Sequence, residues 1–321
     1  MEGLFSMPHL SGITIYPVKS LDGMSLSEAT VLPSGALMHD RRWRLVDAEG
    51  AVVNAKKNAR FHGIRATFGI EGIENSQVFS VDSGNVVTLS IEKNFADEYP
   101  SLAEETFPLL PNREGPCGWL SEALATDVLL QERFDSGFPD DRDASGPTLI
   151  SSESLLEVAR WFDWTIEEAR RRFRMNLEVT IERDEEESLS STEAASTMLF
   201  EAFWEDSLAC PIKSYGTMTL PSEGCFEPEY EACEPRQFQI GSVVFQAAGV
   251  CRRCSVPERN SLTGAPVHLF RDQFEAFRMH RLHAGVDARN WRDFYCLGIN
   301  TTCRNPGALH TDQPVTFLDD K

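Results

Sequence analysis

The sequence predicts a mostly β protein, of α+β type, on three observations. Short alternating strands follow one another through the first third, turn residues separate them, and helical spacing enters only after residue 118. Gly12–Pro17 alternates and is β-branched, and Pro17 interrupts it. Arg42–Val46 alternates and ends in the turn Asp47-Ala-Glu-Gly50. Further strands are expected at Ile64–Ile70, Val78–Val81 and Val86–Ile91, which suggests an antiparallel barrel or sandwich. Trp119–Leu124 reads as a short amphipathic helix. Ser154 with Glu157, and Thr165 with Glu168, have capping-box spacing and predict helices over about 155–162 and 166–172. A strand is expected at Phe173–Ile181 and another at Gln239–Val250. The apolar residues of Val267–His283 recur at helical spacing, and Phe294–Asn300 and Val315–Leu318 are strand-like. Glu182–Ser196 is acidic and Ser-rich, Gly216–Arg236 is loop-like, and no internal repeat is present.

The 321 residues suffice for two domains. A turn-rich polar stretch, Ser136–Gly146, marks the expected boundary between domains at 9–135 and 145–318. The formal net charge of -20 argues against binding nucleic acid or an anionic membrane, because both require a basic face. It leaves room for a local Arg cluster inside an acidic shell. No apolar run has membrane-spanning length, and the N-terminus has neither a secretory nor a transit pattern, so a soluble cytoplasmic protein is expected. Eight cysteines spread along such a chain are expected to be reduced.

Four constellations carry cationic or thiolate character at strand ends. In Cys251-Arg-Arg-Cys254, two arginines beside a thiol favour its thiolate, a nucleophile or soft-metal ligand. A buried inert pair, a thioredoxin-like dithiol and a structural zinc site are the alternatives. Ser255-Val-Pro257 is a poor helix start for the second, and no other close Cys pair supports the third. Lys19 and Ser20 follow a strand and have the chemistry to hold a phosphate. In Asp40-Arg-Arg-Trp43, one Arg would alternate inward, where it needs an anion. Arg174 and Asn176, placed on a strand, would share a face suited to a phosphate or the polar edge of a heterocycle.

Ile15-Tyr-Pro-Val-Lys-Ser20, Asp40-Arg-Arg-Trp43 and Leu45-Val-Asp47 together resemble the β-barrel domain that precedes MOSC domains. Arg174-Met-Asn176 resembles that family's Arg-Pro-Asn strand, and Arg253-Cys254 with Thr263-Gly264 resembles its cysteine motif. Asn305-Pro-Gly307 to Asp312-Gln-Pro-Val315 resembles its closing strand pair. The resemblance covers nearly the whole chain in order. It implies two β-barrel-like domains with a few peripheral helices and a pterin molybdenum cofactor between them, as in the mitochondrial amidoxime-reducing component and its bacterial relatives. By the same resemblance, Cys254 would ligate molybdenum and be the catalytic residue. Lys19, Ser20, Arg41, Arg174, Asn176 and Arg253 would hold the pterin and its phosphate, with Ser151 as a further contact. The implied activity is two-electron reduction of N-hydroxylated small molecules. Electrons would come from a separate ferredoxin- or cytochrome b5-type protein, since no plant-type iron–sulfur motif is present.

The chain departs from the family pattern at four places. Asn260-Ser261 stand where the family has Asp-Pro, Met175 replaces the Pro of Arg-Pro-Asn, Leu21 replaces a residue that is often Cys, and Cys210–Arg236 reads as an insertion. A second function is a cofactor carrier or sulfur-transfer module like the C-terminal half of molybdenum-cofactor sulfurases. The pyridoxal-phosphate half of those enzymes has no counterpart here. A third is a metal-free relic of the family.

Overall fold

The computed structural model describes residues 7–73, 84–93, 95, 101–110, 115–141, 143–181, 202–210, 234–283, 286–289 and 291–318. The expected strand Val78–Val81, the acidic run Glu182–Ser196 and most of Cys210–Arg236 lie outside them. Sixteen strands are described: β1 His9–Ile15, β2 Met24–Leu26, β3 Glu28–Val31, β4 Trp43–Val46, β5 Val52–Val53, β6 Ile64–Gly69, β7 Val86–Ile91, β8 Glu105–Pro108, β9 Leu129–Glu132, β10 Leu149–Ser151, β11 Leu177–Thr180, β12 Gln237–Ile240, β13 Val243–Arg252, β14 Cys296–Cys303, β15 Gly307–His310 and β16 Val315–Leu318. The helices are α1 Cys117–Leu124, α2 Ser152–Trp161, α3 Ile166–Phe173, α4 Asp206–Ala209 and α5 Phe270–Met279, with a 3-10 turn at Ala59–Gly63.

The architecture is mostly β with few helices. One sheet has eight strands in the order β16-β12-β13-β14-β10-β11-β1-β2, and smaller sheets are β15-β3, β5-β4-β9 and β6-β7-β8. The ladders of the described residues close no barrel. An isolated bridge from His9 to Pro314 ties the start of β1 to the segment before β16. The large sheet joins strands from both ends of the chain, because β1 pairs antiparallel with β11, which runs parallel to β10. That pairing carries the segment after β1 to the segment before β11, and both reach the cavity described below.

Two apolar clusters hold these layers. The larger is built from the sheet faces and includes Leu10, Trp43, Phe68, Phe238 and Phe245, all fully buried. The smaller packs α2, α3 and α5 on the sheet through Phe173, Phe270, Phe274 and Tyr295. Leu, Phe and Trp side chains buried at this level contribute about 1.5–3 kcal/mol each by area.

Several local expectations are corrected. Ser151, not Ser154, caps α2: its hydroxyl accepts from Ser154 N at 3.1 Å. Ser154 lies one turn inside, buried, donating to Glu205 at 3.0 Å. Thr165 caps α3 as expected, accepting from Glu168 N at 3.2 Å. The strand expected from Phe173 starts only at Leu177, because α3 runs through Phe173 and ends on Arg174 in the left-handed region (φ 54°). The single strand expected at Gln239–Val250 is a hairpin, β12–β13, turned at Gly241 with φ 57°. The helix expected over Val267–His283 is confined to Phe270–Met279. The closing strands do not pair with each other: β15 pairs with β3 and β16 with β12.

Candidate functional site

A cavity of about 960 Å³ opens between the β1–β2 connection, the Asp40–Arg41 turn, α3 and the loop after β13. Eleven Lys and Arg line it against five carboxylates, in a chain whose net charge is -20. Lys19, Ser20, Arg41, Arg174, Asn176, Arg253 and Cys254 all belong to its lining, whereas Ser151 does not. Ser151 is fully buried beneath α2, where its hydroxyl is engaged by Ser154.

Backbone hydrogen bonds lace the segment after β1 to the start of β4. Arg41 N donates to Tyr16 O at 2.9 Å, Trp43 N to Pro17 O at 3.0 Å and Lys19 N to Trp43 O at 2.8 Å. Ser20 and Arg41 have left-handed backbones, with φ of 78° and 49°. The turn conformation of Arg41, rather than strand alternation, directs it to the cavity, while Arg42 turns away to Glu132 at 2.5 Å. The Arg41 guanidinium reaches Asp40 at 2.5 Å and Asp140 at 3.2 Å. Lys19 Nζ meets the other oxygen of Asp140 at 2.8 Å and Phe138 O at 3.1 Å. Partial burial works against the Asp140 charge, but Arg41 and Lys19 outweigh it and hold the carboxyl well below the usual range. An internal carboxylate therefore occupies the position between these two cations where an anionic ligand would sit.

Tyr16 underlies the other wall. Arg174 stacks over its ring at 4.1 Å and Arg41 at 5.2 Å, and its hydroxyl donates to Met175 O at 3.3 Å. Burial pushes its phenol up to about 12, so it stays protonated. Arg174 donates to Leu21 O at 2.7 Å and has no carboxylate within ion-pair distance among the described residues. Burial pushes its guanidinium below the ordinary value. Asn176 is mainly a latch. Its Oδ1 accepts from Thr148 N at 3.2 Å and Thr148 Oγ1 at 3.1 Å, and Nδ2 donates to Thr14 O at 3.0 Å. One amide N–H remains for a ligand. Ser20 Oγ accepts from Ala55 N at 3.1 Å and keeps its own O–H.

The two cysteines differ. Cys251 lies within β13, is buried and takes a contact from Arg253 Nη1 at 3.0 Å; burial pushes its thiol up. Cys254 stands just beyond the strand, half-buried at the cavity wall. Arg253 is fixed by Phe173 O and by Met175 Sδ at 3.4 Å. Burial opposes its charge, yet the Cys251 and Cys254 sulfurs raise its pKa above the ordinary value. The loop beyond is pinned to α3, since Ser261 donates to Glu168, which also receives Arg172 Nε at 2.6 Å. Asn260 takes the turn role, its Oδ1 accepting from Leu262 N at 3.0 Å and Thr263 N at 2.9 Å.

Among the described residues, no group of three or more His, Cys, Asp and Glu is placed to hold a metal ion. A metal at Cys254 would thus have one protein thiolate, with its other donors supplied by a cofactor. Sequence reasoning missed Tyr16, Asp140, His62 and Arg259, which also line the cavity.

Residues 7–127 match the model of the MOSC N-terminal beta barrel domain. That segment is thus similar to a MOSC N-terminal domain. Lys19, Ser20, Asp40 and Arg41 lie within the matched segment, while Arg174, Asn176, Arg253 and Cys254 lie beyond it. The chain is 40% identical to a molybdenum cofactor sulfurase of Oryza sativa subsp. japonica over 124 residues, 38% of this chain and 15% of the relative. It is 26% identical to the molybdenum cofactor sulfurase of Drosophila yakuba over 181 residues, 53% of this chain and 23% of the relative. Against that of Drosophila grimshawi, identity is 23% over 272 residues, 80% of this chain and 29% of the relative. The chain thus spans less than a third of the length of these curated relatives. No helix of the described residues is long and apolar enough to cross a membrane.

Proposed function

We propose that the chain binds the molybdenum cofactor in this cavity, between a MOSC N-terminal domain over 9–135 and a MOSC domain over 145–318, each barrel-like. The observation that carries this is the cationic excess around a half-buried thiol in a strongly acidic chain. A phosphorylated pterin needs fixed cations, polar edges and space, and the metal needs a soft donor. The residues present fit. Lys19, Arg41, Arg174 and Arg253 would hold the phosphate and pterin, Ser20 and the free N–H of Asn176 would add polar contacts, and Cys254 would ligate the metal. The volume of about 960 Å³ lies within the range of small-molecule sites.

The bound cofactor would supply two-electron redox chemistry. The chain's own residues position and select. Arg253 places positive charge beside the thiol, where it would offset the negative charge of a metal-bound sulfur. Tyr16, kept protonated, presents a neutral ring on which Arg174 and Arg41 are stacked. On this reading the protein is a cytoplasmic oxidoreductase that reduces N-hydroxylated small molecules with electrons from a separate ferredoxin- or cytochrome b5-type donor. The names of the relatives favour a second reading, a cofactor carrier or sulfur-transfer module.

Turnover of benzamidoxime by cofactor-loaded protein with an artificial reductant separates the two. Reduction to the amidine, lost in Cys254→Ser, is expected for the oxidoreductase. Tight cofactor retention without turnover supports the carrier.

A further inference from the structure

His62 lies in the 3-10 turn Ala59–Gly63 and lines the same cavity as Cys254, with 9% of its surface exposed. Its Nε2 is shielded from solvent and has no hydrogen-bond partner. The turn after Cys254 packs on it. Gly264 has φ 64°, and a Cβ there would stand 3.2 Å from Ala59 O and 3.3 Å from His62 Cβ, so close approach requires glycine. Burial first, then the guanidiniums of Arg259, Arg174, Arg65 and Arg172, hold the imidazole down to about 4, neutral at physiological pH. Arg65 is matched by Asp22 at 3.3 Å and Arg172 by Glu168 at 2.6 Å. Arg259 donates to Gly264 O at 3.1 Å, and neither it nor Arg174 has a carboxylate within ion-pair distance among the described residues.

A buried ring nitrogen without a partner, beside two unmatched guanidiniums, is completed by an oxyanion. We propose that His62 and Arg259 form an oxyanion contact of the cavity that takes the carboxylate, sulfonate or phosphate of a small anionic substrate, and that the anion binds together with one proton on the imidazole. The anion offsets the guanidinium charge that keeps His62 neutral. The ring then takes a proton from solvent, and Nε2 donates to the bound oxygen. Only the proton moves, from solvent to the ring; no bond between heavy atoms forms or breaks. The proposal rests on the cavity being the cofactor and substrate site, and it adds the charge class of the substrate.

The test is calorimetry of sulfate binding at pH 6, in buffers of different ionisation enthalpy, on the full chain with and without its cofactor. Sulfate does not itself titrate near neutral pH. Wild-type is expected to take up about one proton per sulfate, with affinity falling about tenfold for each unit rise in pH. His62→Gln keeps a neutral polar side chain and is expected to bind at least about tenfold more weakly, without proton uptake. Arg160→Gln, on the exposed face of α2 and outside the cavity, should leave the uptake unchanged. Uptake that persists in His62→Gln, or sulfate binding without uptake in wild-type, overturns the contact. Retention of sulfate binding after cofactor loading assigns the contact to substrate. Its loss on loading assigns it to the cofactor's own phosphate and overturns the substrate class. A chain that binds pterin but no sulfate loses this proposal alone, whereas one that binds neither loses the cofactor reading as well.

Discussion

The two ends of the cavity are built on opposite electrostatic plans. At the Lys19–Arg41 end the cations are already matched, because Asp140 spans both at 2.8 and 3.2 Å and Asp40 holds Arg41 from behind. At the Arg174–Arg253–Arg259 end they are held by backbone carbonyls and sulfur: Leu21 O, Phe173 O, Gly264 O, Met175 Sδ and Cys251 Sγ. Carbonyl oxygens orient a guanidinium without cancelling its charge. The first end is stable with no ligand and must surrender a carboxylate to receive an anion. The second end is stable only at a desolvation cost that an anion would relieve. Cavity charge counted as a sum conceals this difference.

Mutating one cation from each end breaks or sharpens the comparison. Arg174→Gln is expected to weaken binding of inorganic phosphate by about 10–100-fold, the weight of a charge-assisted hydrogen bond in a desolvated site. Lys19→Gln should cost several-fold less, because Asp140 already neutralises that side chain. Calorimetric titration of both variants gives the ratio, and equal losses would erase the distinction. Asp140→Asn should tighten phosphate binding by about 3–10-fold by removing the internal competitor. Weaker binding would mean that Asp140 positions Lys19 and Arg41 instead.

The smallest effect is on stability. His62 has its pKa lowered from 6.5 to about 4 in the folded protein, so the unfolded chain binds the extra proton first. Stability is therefore unaffected by this group above its unfolded pKa. It declines as pH falls from about 6.5 to about 4 and levels off below that. Chemical denaturation across that window should show a shallower loss for His62→Gln than for wild-type, and saturating sulfate should flatten the wild-type curve. His39, also lowered to about 4, contributes a remaining slope in both.

Elements with strict periodicity were legible in the sequence. The strand at Val86–Ile91 and that at Val315–Leu318 match residue for residue, because alternation and flanking turns set both ends. The Gly241 turn was not, since β12 and β13 are both apolar enough to read as one run. Arg174 and Asn176 were assigned to the cavity by an argument from strand geometry that does not hold. Arg174 leaves a helix in the left-handed conformation, and Asn176 spends most of its amide on Thr14 and Thr148. Both reach the cavity because β11 lies beside β1, a long-range pairing with no local signature. His62 could not have been singled out, because its meaning comes from Gly264, two hundred residues later in the chain. Asp140 sat in a stretch whose turn residues suggested only a boundary. The contrast between Cys251 and Cys254 was not legible in the strand pattern: the strand expected to stop at Val250 runs on through Arg252, which buries the first and leaves the second at the wall.

The central claim is that this thiol and its cations hold a molybdenum pterin. Molybdenum and pterin should be quantified per chain in protein purified from a cofactor-competent host, alongside Cys254→Ala and Cys251→Ala. The account predicts stoichiometric amounts of both in wild-type and in Cys251→Ala, and loss of most of the metal in Cys254→Ala with its fold intact. Wild-type protein free of molybdenum and pterin, or equal losses in the two cysteine variants, would contradict it.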